Sequence, residues 1–203
     1  MREITIKIYT FDELQKKAQE KILERNRYKW CPDYYDAEHP TIKEFVHTLT
    51  RQGFAVNKMT FLLYCDLRGG FTGKFVDAQA AIHAAFAHGL KENAISKDAL
   101  DEIRKSGVVA VSKKNQKIRP TYRSNTHITL LIDGTPMTGE EKYLPFVRAL
   151  EEWKEEECWE VYKKTEEDYR YYISDTFIKK MLLMNGYEFY ENGDEYVENK
   201  TSA

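Results

Sequence analysis

The chain is 203 residues long, 42% hydrophobic and 32% charged, with a formal net charge of −2. Its 14 Tyr, 10 Phe and 3 Trp run through the whole length and exclude a disordered chain. The near-zero net charge marks neither a nucleic-acid binder nor a membrane binder. Cys31, Cys65 and Cys158 form no C-x-x-C, which argues against a zinc knuckle and fits a reduced, cytosolic protein.

The opening MREITIKIYT alternates polar and apolar residues without an apolar signal core, and no apolar run nears the ~18 residues of a membrane span. A protein that stays off membranes is expected. Ile4, Ile6 and Ile8 predict one side of a half-buried strand. Thr10 and Glu13 have the spacing of a capping box, and Leu14, Ala18 and Ile22 carry a helix to about Asn26. Pro40 suits the first turn of a second helix with Ile42, Phe45, Val46 and Leu49 on its apolar face, and Gly53 suits its stop. AVNKMTFLLYCDL reads as a long strand and GKFVD as its partner, with RGGFT as the turn between them.

The alanine-rich stretch 77–92 predicts a helix, and Ser96 caps another over Lys97 to Lys105. VVAVS and KIRPTYRSNTHITLLID predict two strands joined by KKNQ, with Pro120 at an edge or bulge. Thr138 and Glu141 repeat the capping-box spacing ahead of a helix over 141–172, whose inward positions are Phe146, Leu150, Trp153, Val161 and Tyr162. Ser174 opens a last helix carrying Phe177, Ile178, Met181 and Leu182, and Asn192-Gly193 predicts a closing hairpin. Together these elements predict a single α+β domain over 1–203: an antiparallel sheet with helices packed on one face and a long acidic helix toward the C-terminus.

CDLRGGFTGKF, residues 65–75, invites a phosphate-loop reading. A P-loop needs G-x-x-x-x-G-K-S/T, because backbone amides wrap the phosphates and the hydroxyl holds magnesium. Arg68 stands where the first glycine belongs, and Phe75 where the hydroxyl belongs. The stretch is therefore read as a β-hairpin with a glycine-permitted turn or bulge, with a ligand-contacting loop through Asp66, Arg68 and Lys74 as the alternative.

His83 and His88 are five apart, about 140° around a helix, and cannot share a metal as an i, i+4 pair could. No G-x-S-x-G and no H-E-x-x-H occurs. No cofactor, metal or catalytic residue is assigned. A hydrolase is kept as an alternative on Asp66, Asp77 and His127, to be judged by whether they converge in a cleft.

Charge is segregated along the chain. Arg104 to Ile132 holds seven basic residues and no acidic one, whereas Glu140 to Glu198 holds 17 acidic and eight basic residues, net −9. Two binding readings follow, beside the alternative that the two regions pack together and cancel. The acidic helix, through Glu151, Glu152, Glu155, Glu156 and Glu160, would steer toward a basic protein surface. The basic hairpin, through Lys113, Lys114, Lys117, Arg119 and Arg123, would contact the phosphates of a nucleic acid or nucleotide signal.

Phe11, Glu13, Leu14, Ala18 and Lys21 form an F-x-E-L-x-x-x-A helix after a first strand, and Tyr187, Phe189 and Gly193 form a closing Y-x-F-x-x-x-G hairpin after Asn185. With FLLYCDLRGGFTGKF between them, these segments resemble small phage and prophage proteins, some of which carry an antitoxin-like label. Ile22 departs from the small residue usual in that helix. The resemblance covers about a third of the chain, leaving 77–135 as an insertion. It implies a phage origin and a place in the host cytoplasm. The expectation is a non-enzymatic accessory protein that binds a host protein, such as a defence or nucleic-acid-handling factor.

Overall fold

The computed structural model describes residues 6–32, 34–35, 38–62, 69–113 and 126–197. The architecture is α+β, as expected, and the chain divides into two compact units: residues 1–32 with 167–203, and residues 33–166. No helix of the described residues is long and apolar enough to cross a membrane.

The unit built from the chain ends holds β1 (Tyr9–Thr10), α1 (Lys16–Asn26), α6 (Asp175–Met184) and β8 (Glu188–Phe189). β1 and β8 pair antiparallel. Phe11, Leu14, Ala18, Ile22, Ile178, Leu182 and Phe189 close its core. The Thr10–Glu13 capping box forms, on a 3-10 turn Phe11–Glu13 rather than on α1 itself. The predicted hairpin also forms: Gly193 takes φ +81, and Tyr190 N–H donates to Asp194 O at 2.8 Å. Asp194 then accepts from Lys21 at 3.0 Å and lies 3.6 Å from Arg25, so these cations, with Asn192, hold its carboxyl below the usual range. The half-buried strand expected on Ile4, Ile6 and Ile8 is corrected at Ile6 and Ile8; Ile4 lies outside the described residues. Regular pairing covers Tyr9–Thr10 alone among the described residues, and Ile6 and Ile8 are exposed, because the short β8 offers no longer partner.

The larger unit is a six-stranded antiparallel sheet in the order β2-β3-β4-β5-β6-β7. Its strands are β2 (Tyr34–Tyr35), β3 (Phe54–Leu62), β4 (Gly69–Phe75), β5 (Gly107–Lys113), β6 (Thr126–Ile132) and β7 (Thr135–Pro136). Four helices pack against one face: α2 (Pro40–Arg51), α3 (Ala78–Ala87), α4 (Lys97–Ser106) and the first part of α5 (Leu144–Tyr172). Pro40 opens α2, Gly53 ends it at φ +78, and Ser96 caps α4 through Ala99 N–H at 3.2 Å. Thr138 does not cap the turn before α5; Glu140 takes the cap position without a side-chain bond.

The core lies between sheet and helices. Phe54, Phe71 and Phe75 meet Trp153 of α5 with ring centroids 4.9–5.6 Å apart, a spacing at which edge-to-face and tilted aromatic pairs attract beyond area burial. The hairpin expected of β3 and β4 forms, but among the described residues RGGFT is not its turn. Gly69 to Thr72 are paired residues of β4, and a β-bulge falls between Val56 and Lys58 opposite them. Gly73 is needed inside the strand because a Cβ there would lie 2.1 Å from Ala55 O and 2.7 Å from the Phe54 ring.

β6 has one exposed edge, and it is covered in two ways. β7 pairs with Leu131 and Ile132, and Met137 N–H reaches Leu130 O at 2.9 Å. Farther along, α5 side chains take the place of a strand. Glu151 accepts from Ile128 N–H at 2.6 Å, and Lys154 donates to Thr126 O at 2.9 Å while pairing with Glu151. Unpaired edge groups invite another chain, so this side-chain seal closes a liability.

Candidate functional site

α5 presents two faces because about 100° separates successive residues. Trp153, Lys154, Val161 and Thr165 face inward and are buried. Glu152, Glu155, Glu156 and Trp159 follow at i, i+3, i+4 and i+7, one stripe on the other side. Trp159 is 52% exposed and stacks on Tyr162, with centroids 5.4 Å apart and planes 20° off parallel.

The carboxylates around this aromatic pair are not equivalent. Glu152 and Glu155 are exposed and form no ion pair among the described residues. Glu156 accepts from His88 Nδ1 at 2.8 Å, and Glu160 pairs with Lys163. Glu151 has both carboxylate oxygens engaged at the sheet edge. The expected acidic surface thus splits into Glu152, Glu155, Glu156 and Glu160 facing solvent and Glu151 serving the fold. Trp159, at its centre, was missed by sequence reasoning. The i, i+3, i+4, i+7 spacing to the glutamates was the available signal.

Beside this face runs a groove of about 510 Å³ between α2, α3 and α5. Arg51, Gln52, Asp77, His83, His88 and Trp153 are among its lining residues. Trp153 Nε1 donates to Gln52 Oε1 at 3.0 Å, and Gln52 Nε2 donates to Glu157 Oε1 at 2.6 Å, which fixes the amide. Asp77 caps α3 through Ala80 N–H at 2.7 Å. The Gln79 amide nitrogen lies 2.9 Å from His83 Nε2.

Of the residues kept for hydrolysis, the two described ones, Asp77 and His127, do not meet here. His127 stands on β6 opposite Ser112, on the sheet face away from the helices, with its Nδ1 out of contact with water and unpartnered among the described residues. It does not line the groove that Asp77 lines. Among the described residues no group of three or more His, Cys, Asp or Glu gathers for a metal ion. Cys31 and Cys158 are half-buried. Asp66, Arg68, Lys114, Lys117, Arg119 and Arg123 lie outside the described residues, as does Cys65. Lys113 is exposed at the end of β5, and Lys74 is exposed on β4.

One ionic knot fixes the start of α5. Glu102 of α4 accepts from Lys142 Nζ at 2.7 Å and from the buried Tyr143 hydroxyl. These two donors hold the Glu102 carboxyl below its ordinary range, and the same carboxylate raises Lys142. Burial, with the Glu102 bond, raises Tyr143.

Comparison with protein-family models, curated proteins and solved structures found no match.

Proposed function

We propose that this chain is a binding protein that docks the outer face of α5 onto a basic protein surface. The observation that carries the reading is the Trp159–Tyr162 stack, left half in water and framed by Glu152, Glu155 and Glu156. An exposed indole gains from leaving water, and tryptophan is over-represented among residues that dominate binding energy. Exposed carboxylates around it steer a cationic partner and speed encounter more than they deepen affinity. The resemblance of the chain ends to phage and prophage proteins makes a bacterial host protein the partner class to test first, a defence or nucleic-acid-handling factor among them.

The test is affinity capture from bacterial lysate by three forms of the protein: wild type, Trp159→Ala, and the triple reversal Glu152→Lys, Glu155→Lys and Glu156→Lys. Loss of the same captured protein with both variants, at unchanged thermal stability, supports the reading. Retention of that partner by both variants overturns it.

A further inference from the structure

The groove between α2, α3 and α5 has two electrostatically different ends. Gly53, at φ +78 after α2, packs so near α3 that a Cβ on it would lie 2.6 Å from Ala80 Cβ. Beside it, Arg51 and Asp77 line this end with opposite charges, and Asp77 already caps α3. From there Ala80, Ala84 and Ala87 follow one side of α3 at i, i+4 and i+7 and form a wall of methyl groups. The volume of about 510 Å³ is that of a pocket able to take a small ligand or a whole side chain.

The other end, at the C-terminus of α3, gathers negative charge. Glu156 accepts from His88 Nδ1 at 2.8 Å through one oxygen, and its second oxygen has no partner among the described residues. A Cβ on Gly89, the next residue, would lie 3.5 Å from a Glu152 carboxylate oxygen, so Glu152 leans over the same end. Glu152 meets no cation among the described residues. The carbonyl end of a helix adds partial negative charge and favours a cation there. Neighbouring acids on α5 are already answered: Glu151 by Lys154, Glu160 by Lys163 and Glu157 by Gln52. Glu152 and Glu156 differ from them in keeping acceptor oxygens at the mouth of a methyl-walled pocket.

We infer that this groove receives a long cationic side chain, arginine or lysine, from the basic partner surface proposed above, an inference that rests on that reading. The methylene stem lies along Ala84 and Ala87, as such stems cover apolar surface while the charged head stays in water. Glu152 and the second oxygen of Glu156 hold the head by charge-assisted hydrogen bonds. A neutral or acidic side chain of the same length would leave these acceptors unanswered or repel them. Glu152 and Glu156 share their stripe of α5 with Trp159, so one partner surface covers the exposed indole and places its anchor in the groove. Binding energy concentrates in side chains that fill such pockets within an interface.

The test is NMR amide chemical-shift mapping on the full chain with Nα-acetyl-arginine amide, Nα-acetyl-lysine amide and the uncharged isostere Nα-acetyl-citrulline amide. The two cations are expected to shift the amides of Ala84, Ala87, His88 and Gly89, and the citrulline derivative to leave them in place. Glu152→Gln with Glu156→Gln is expected to weaken the arginine derivative about fivefold, the scale of one good exposed ion pair. Ala87→Leu, at an exposed position, is expected to fill the groove and abolish the shifts with unchanged circular dichroism, whereas Ala87→Ser keeps them. Lysate capture separates this inference from the reading beneath it. Capture kept by Ala87→Leu but lost with Trp159→Ala overturns the groove anchor and leaves the docking face standing; capture kept by both overturns both. The anchor is also overturned by citrulline shifts equal to those of arginine, by shifts that survive Ala87→Leu, or by absence of shifts at tens of millimolar.

Discussion

Two tryptophans stand six residues apart on α5 and meet opposite surroundings. Trp153 is fully buried among Phe54, Phe71 and Phe75, with its indole N–H satisfied by Gln52. Trp159 is half exposed, stacked on Tyr162 among glutamates. About 120° of helix rotation separates the fates of the same side chain. The inward tryptophan is explained by folding. The outward one contributes little to the core, and its apolar surface is what points to a partner.

Trp153→Ala should break the inward side most severely, by about 3–5 kcal/mol through the lost aromatic contacts and the cavity left behind. Chemical denaturation measures it; a loss below about 1 kcal/mol would mean that the four-ring cluster is not the core. Lys154→Ala comes next, at about 3 kcal/mol, because Glu151 keeps a partly buried charge and Thr126 O loses its donor. If the variant unfolds like the wild type, the seal on β6 is dispensable.

A third test titrates the anchor of the same helix. Glu102 has a lowered folded pKa, so its contribution is fully present above its unfolded value near 4.5 and is lost as pH falls through the folded one. Wild-type melting temperature should fall in that acid window, and Glu102→Gln should lower stability at neutral pH while flattening part of the decline. An unchanged pH profile in the variant would remove the anchor from the account. Smallest of all, Trp159→Ala should change stability by no more than about 0.5 kcal/mol while abolishing capture of the partner. A large destabilisation would place Trp159 with Trp153 and erase the contrast.

Local chemistry made much of the fold legible. Pro40 and Ser96 mark helix starts, Gly53 a stop and Asn192-Gly193 a hairpin, because each acts on backbone within a few residues of itself. Phe146, Leu150, Trp153 and Val161 were legible as an inward stripe for the same reason. Gly69 and Gly70 were misread as a turn because their pairing with Phe61 and Thr60 comes from the neighbouring strand, which no local pattern encodes. Ile6 and Ile8 alternate as a strand would, but alternation does not supply a partner. The groove was invisible for a similar reason: Gln52 meets Trp153 and Glu157 across about a hundred residues of sequence. Thr138 and Glu141 show that cap spacing alone does not make a cap.

Glu151 and Lys154 carry a consequence for solution behaviour. Two side chains on a helix impersonate the backbone of a missing strand, so β6 presents no template on which a second molecule could polymerise. Removing that disguise at Lys154 should raise the tendency to self-associate on concentration, with light scattering rising before any loss of helix content.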